Sequence, residues 1–188
     1  MMDFNRFQAQ IESHPSDDGC NLPPVEQWHP PFCGNIDMCI TASGEWQYQQ
    51  SPVTRLSLVR LFSSVLVKEN DDYFLVTPVE KVGIQVEDVP FVIIQWAMEN
   101  NHLRLTTQTG DTFTVSASHP GTLRASLDGT FLPYVNVRRN LWARLHQNVF
   151  YQLLNEAEEK TAPDGTTRFT VQSGDYELIL GEICFDEP

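Results

Sequence analysis

Apolar residues recur along this chain at two spacings, every second position and every third or fourth, and the switches between them mark its elements. In NIDMCITASGEWQYQQ, Ile36, Met38 and Ile40 alternate onto one face, Ser43 and Gly44 turn the chain, and Trp46 and Tyr48 resume the alternation, which predicts a β-hairpin. In SPVTRLSLVRLFSSVLVKE the spacing lengthens. Leu58, Val59, Phe62, Val65 and Leu66 share one helical stripe, Ser51 is placed to cap it, Pro52 suits its first position, and Asn70-Asp71-Asp72 ends it. Strands are expected next at 73–77, 80–86, 91–98, 102–107 and 112–116. After SHPG the pattern starts again with strand 123–127, a turn at Asp128-Gly129, strand 130–137, and a long helix over 138–159 whose buried stripe is Leu141, Leu145, Val149 and Leu153. Segments 166–171 and 176–184 close the chain as a hairpin around Ser173-Gly174. Residues 1–27 read as an adaptable arm with one helical turn at 4–11.

The second start reads as an internal repeat. Gly44 maps onto Gly129 and Trp46 onto Phe131; one gap later Val53 maps onto Val137, Arg55 onto Arg139, Leu58 onto Trp142, Leu61 onto Leu145 and Val65 onto Val149. Both halves then run strand, strand, helix, strand, strand. The expected fold is α+β, with duplicated units at 28–98 and 99–188, each a small antiparallel sheet with one main helix.

Composition agrees with a packed chain: 188 residues, 41% hydrophobic and 11% aromatic, suit one domain or two small ones. Charge changes the picture more. The 25 acids against 12 bases leave a net charge of −13, a field that repels phosphate backbones and anionic lipid, so neither nucleic acid nor a membrane is an expected partner. The stretch MMDFNRFQAQIESHPSDDGC holds neither a cationic leader nor an apolar run, which leads us to expect cytoplasmic residence and reduced thiols at Cys20, Cys33, Cys39 and Cys184.

Candidate chemistry is sparse. His14, Cys20, His29, Cys33 and Cys39 crowd together without the paired spacing of a zinc site, so no metal and no cofactor is expected. His29 could serve Cys33 as a base, although PPFCG reads equally well as a tight entrance to the first strand. His119 reads as a turn residue, and His146 flanks the second helix's stripe. The arginines are the feature the fold does not require. The pattern puts Arg55 in the first turn of one helix and Arg138 with Arg139 in the first turn of the other, where the helix dipole disfavours cations. Either they converge with free backbone N–H groups on a phosphate or carboxylate, or they pair internally with acids such as Asp37 or Glu80. In TPVEKVGIQVEDVPF, period two aligns Glu80 with Val82, Ile84 and Val86 and turns Lys81 to the other face. Glu80 is therefore expected inside, held by Arg55 or Arg139, with Lys81 as ligand contact or plain surface. The expected ligand set is Arg55, Arg138, Arg139 and Lys81 for charge, Thr77 and Glu80 for hydrogen bonds, and Trp46 or Tyr48 as an apolar wall.

Four blocks, WHPPFCGNIDM, SPVTR, LVRLFSSVL and LVTPVEKVGIQVEDVPF, make residues 28–155 resemble a bacterial family known as domain of unknown function 1285. The resemblance implies a duplicated α+β fold, a second half similar to pleckstrin-homology domains, and a site between the halves for a nucleotide-like molecule in signalling. It sets Cys33, Gly34, Asp37, Arg55, Thr77, Pro78, Glu80, Lys81 and Asp88 within family blocks, while Cys39 stands where the family has a basic residue. The expectation that follows is a non-enzymatic bacterial sensor or adaptor that binds a small anionic, nucleotide-like ligand between two related units. The alternatives are a protein–protein interaction module without a small ligand, and a Cys33/His29 hydrolase.

Overall fold

A computed structural model describes residues 3–13, 22–125 and 128–184. His14, Cys20 and the end of the strand expected at 123–127 lie outside the described residues. The chain divides into two units, Met1–Pro90 and Phe91–Pro188. The division falls ahead of the expected one at 98, because residues 91–98 pair within the second unit's sheet.

The first unit opens with helix α1 (Phe4–Glu12), longer than the single turn expected and capped by the Asp3 carboxylate, which accepts from Asn5 N–H at 3.0 Å and Arg6 N–H at 3.3 Å. Its buried residues are Phe7 and Ile11. Strands β1 (Phe32–Ile40), β2 (Trp46–Tyr48) and β3 (Ser51–Pro52) form a meander; helix α2 (Leu56–Ser64) follows; strands β4 (Leu66–Glu69), β5 (Asp72–Val76) and β6 (Lys81–Val86) form a second meander. The six strands lie in the order β3-β2-β1-β6-β5-β4, with every pairing antiparallel except β1 beside β6, which is parallel. The hairpin at Ser43-Gly44 is present, with Met38 opposite Tyr48 and Ile40 opposite Trp46. Helix α2 buries Leu58, Val59, Phe62 and Ser63, but it begins later than expected. Ser51 and Pro52 extend the sheet edge instead, a position where a proline costs no ladder bond. The helix also ends earlier, at Ser64, since Leu66 pairs with Leu75 and the chain from there alternates as a strand.

In the second unit, strands β7 (Phe91–Glu99), β8 (His102–Thr107) and β9 (Thr112–Thr114) form one meander, and β10 (Gly121–Ala125), β11 (Phe131–Arg138) and β12 (Leu141–Leu145) another. Their order is β10-β11-β12-β7-β8-β9, again with one parallel junction, β12 beside β7. The helix expected over 138–159 is only α3 (Gln147–Glu156). The apolar spacing at 141, 145, 149 and 153 fits a helix, and its first half fits a strand equally well, because four residues is two strand periods. Tertiary pairing decides it: Ala143 and Leu145 pair with Phe91 and Ile93, so residues 141–145 are a buried strand. A further three-stranded antiparallel sheet, β13 (Glu158–Thr161), β14 (Thr166–Ser173) and β15 (Tyr176–Cys184), completes the unit. Its buried Ser173 hydroxyl accepts from Leu103 N–H at 2.9 Å and donates to Val115 O at 2.7 Å, tying it to the six-stranded sheet.

The duplication is therefore real at the level of layout: two six-stranded sheets, each of two meanders joined by a parallel pair between the first and sixth strands. It does not extend to helix position, since α2 separates the meanders of the first sheet whereas α3 follows those of the second. Each unit has a dry core, from Ile40, Phe62, Leu66 and Leu75 in the first and from Phe91, Ile93, Leu103, Leu105 and Val135 in the second. Each such side chain contributes about 2 kcal/mol by leaving water. Among the described residues no helix is long and apolar enough to cross a membrane.

Candidate functional site

Two of the four sequence blocks, at 28–38 and 75–91, run side by side as β1 and β6, and the outer face of that parallel pair carries a groove. Gly34, at φ +98°, lets the backbone of β1 depart from regular extension, and the register with β6 shifts on both sides of Asn35, which stands opposite Gly83. Such irregularities re-aim a side chain. The Asn35 side chain lies over Gly83, close enough that a Cβ there would collide with its amide. Gly83 is thus the floor on which Asn35 rests.

Around that floor the groove has a volume of about 470 Å³. Its rim at one end is aromatic and cationic. The Phe32 and Phe74 rings meet edge to face with centroids 5.9 Å apart, Phe32 is 56% exposed, and Lys81 Nζ stands 4.2 Å from the Phe74 ring centre. Lys81 also donates to Glu69 Oε2 at 2.5 Å and keeps only 19% of its side chain exposed, so its charge is held in place while its remaining N–H donors have no partner among the described residues. The opposite end is acidic. Asp72, Tyr73, Ile84 and Gln85 also line a second depression of about 410 Å³ that continues to Asp71, Glu87 and Cys39. Burial raises the pKa of the Cys39 thiol, and Glu87 and then Asp37 add to that rise.

Of the side chains expected to bind ligand, only Lys81 lines this groove. Trp46 is 2% exposed and packs 6.2 Å from Phe62, which the α1 residues Phe4 and Phe7 also cover, so it is core rather than wall. Its indole N–H is buried with no hydrogen-bond partner among the described residues. Tyr48 is half-buried against the Phe4 ring at 4.7 Å. Thr77 is fully buried and its hydroxyl is consumed locally: it donates to Gln10 Oε1 at 2.8 Å, with Glu80 O at 3.2 Å, and accepts from Glu80 N–H at 3.1 Å and Val79 N–H at 3.3 Å. That turn also corrects the expectation for Glu80. The residue lies ahead of β6, half-buried, and its carboxylate has no ion-pair partner among the described residues, so no arginine holds it.

The arginines are likewise placed differently from the sequence pattern. Arg55 is the N-cap of α2, exposed, and makes no side-chain cap bond. Arg138 ends β11, and Arg139 sits in the turn to β12 at φ +50°, so neither opens a helix. Arg138 is an internal partner: it pairs with Asp111 and lies 4.8 Å from the centre of the Phe91 ring. Burial lowers its pKa, Asp111 opposes that, and Arg139 adds to it. The N-cap of α3 is His146, whose Nδ1 accepts from Asn148 N–H at 3.2 Å. Cys33 is exposed and its thiol donates to Pro31 O at 3.4 Å; no contact joins it to His29. Among the described residues no group of three or more His, Cys, Asp or Glu could hold a metal ion.

Sequence reasoning missed Phe32, Asn35, Phe74 and Gly83. A glycine amid VGIQV was the available signal, since glycine inside a strand marks a close approach, but the sequence does not say which side chain approaches.

Comparison with known proteins agrees with the blocks. Residues 23–89 match the N-terminal domain of DUF1285, a domain of unknown function, and residues 90–179 match the C-terminal domain of DUF1285, a protein of unknown function. A DUF1285 family protein from Silicibacter pomeroyi DSS-3 is similar over 97% of both chains, with 34% identity and a TM-score of 0.81. Another from Shewanella baltica OS155 is similar over 64% of this chain and 92% of that one, with 31% identity and a TM-score of 0.54. No curated protein matches the chain. With both domains matched in order and an α+β fold shared along nearly its whole length, this chain belongs to the DUF1285 family.

Proposed function

We propose that the protein is a non-enzymatic sensor or adaptor that binds a small anionic, nucleotide-like ligand, and that the ligand sits in the groove of the first unit at Lys81. One observation carries the reading: a cation clamped by Glu69 and Phe74 stands beside an exposed aromatic ring, above a floor opened by Gly83. Concave sites with an apolar wall and a few fixed polar groups are what small ligands need. A thermal-shift panel of mononucleotides, cyclic monophosphates included, tests it. The wild-type protein should gain a few degrees with at least one member, as binding to the folded state alone requires, and Lys81→Ala and Phe32→Ala should lose that gain. Equal shifts in wild type and Lys81→Ala would put the ligand elsewhere.

A second reading, a protein-interaction module, draws on β7. Its pairing with β12 covers only Phe91 to Ile93, and Ile94 and Met98 beyond it are 46% and 45% exposed. Exposed apolar side chains on a strand can seat a partner's apolar residues. Under this reading no nucleotide shifts the melting temperature, and Met98→Lys abolishes recovery of a partner in a pull-down.

A further inference from the structure

Resting on the seat just described, we propose that the groove selects a planar aromatic molecule bearing a single negative charge, that the Asn35 amide reads the polar edge of its ring, and that polyanions are rejected. Selection by charge follows from the count of fixed charges. Among the described residues Lys81 is the one cation lining the groove, and Glu69 already engages it at 2.5 Å. Asp72 lines the same groove, and Asp71 and Glu87 line its continuation. The donors Lys81 has left suit one carboxylate or one phosphodiester. Each further negative charge on a ligand would meet carboxylates within a chain whose net charge is −13. The Cys39 pKa is raised first by burial, and Glu87 and then Asp37 add to the rise, as negative charge at that end requires.

Selection by shape follows from Asn35. Its side chain lies over Gly83, which brings one neutral donor and one neutral acceptor to the groove floor, and neither makes a hydrogen bond among the described residues. Phe32 and Phe74 stand beside it as the surface a flat ring would contact. Asn35 is then a specificity residue, and Gly83 positions it without touching the ligand.

Isothermal titration of the full chain with four probes separates the possibilities: adenosine (neutral), nicotinate (one carboxylate), cyclic adenosine monophosphate (one phosphodiester) and ATP. One of the two monoanions should bind at least about tenfold tighter than adenosine and ATP, and which one does so distinguishes a carboxylate from a phosphodiester ligand. Asn35→Ala, an exposed position whose loss should leave folding intact, should weaken that binding about tenfold, and Gly83→Ala should do the same by displacing Asn35. The double variant Glu69→Gln/Asp72→Asn should bind ATP about tenfold tighter than wild type does. ATP binding best to wild type, or adenosine matching the monoanions, would overturn the charge selection and leave the groove as a ligand site. No heat from any probe would overturn both readings.

Discussion

A buried charge depends for its stability on the groups that neutralise it. Arg138 has only 10% of its side chain exposed, and Asp111 is the carboxylate that neutralises it. Asp111 is also held by its own turn, where Thr109 and Thr107 donate to Oδ2 at 2.6 and 3.2 Å. Removing the carboxylate takes a charge partner from a guanidinium that stays protonated near neutral pH and is largely shielded from water. Asp111→Ala should therefore lower stability by about 3 kcal/mol, read as a lower urea midpoint at unchanged slope. A loss under about 0.5 kcal/mol, the range of an ordinary surface substitution, would mean that Arg138 has enough other support. At this scale the sequence marks Arg138 as a cation at an expected helix start in an acidic chain, but the residue ends a strand and pairs with an acid 27 positions away, which no spacing along the chain records.

The helices show how element boundaries decide what a residue does. Arg55 caps α2 with an exposed cation and no side-chain hydrogen bond, which leaves the first N–H groups of the helix without a cap from their own chain neighbour. The N-terminal partial charge of the helix favours an acid there. Arg55→Asp should therefore raise stability at pH 7 by about 1 kcal/mol, through a new cap and a relieved dipole, measurable as a higher melting temperature. A decrease would show that Arg55 serves an interaction within the fold. The hairpin at Ser43-Gly44 and the stripe Leu58, Val59, Phe62 were readable because each satisfies a single period over its whole length. The stretch from Leu141 to Leu153 was not, because its spacing satisfies both periods until β7 claims the first half as a strand.

Over the whole molecule, the excess of 25 acids over 12 bases sets a self-repulsion that folding must overcome. Much of the basic complement is engaged at short range: Lys81 with Glu69, Arg104 with Glu99, Arg138 with Asp111, Lys160 with Glu177 and Arg168 with Glu182. The remaining repulsion acts between exposed acids at longer distance, where added ions screen it. The melting temperature at pH 7 should rise by a few degrees between about 20 mM and about 500 mM potassium chloride, and an unchanged or falling value would show that the exposed ion pairs outweigh the repulsion.

Taken alone, the sequence determined the family, the α+β class, most of the strands and the fact of duplication, because these depend on local periodicity and on blocks of residues that stay together along the chain. Tertiary structure decided the rest. It turned residues 141–145 into a strand, buried Trp46 against Phe62, spent the Thr77 hydroxyl on Gln10 and its own turn, and gave Arg138 to Asp111. It also joined β1 to β6 in parallel, a pairing between strands far apart in the chain, and so laid Asn35 over Gly83 beside Lys81. Which strands become neighbours depends on how whole faces are buried, and no spacing within a single segment records that.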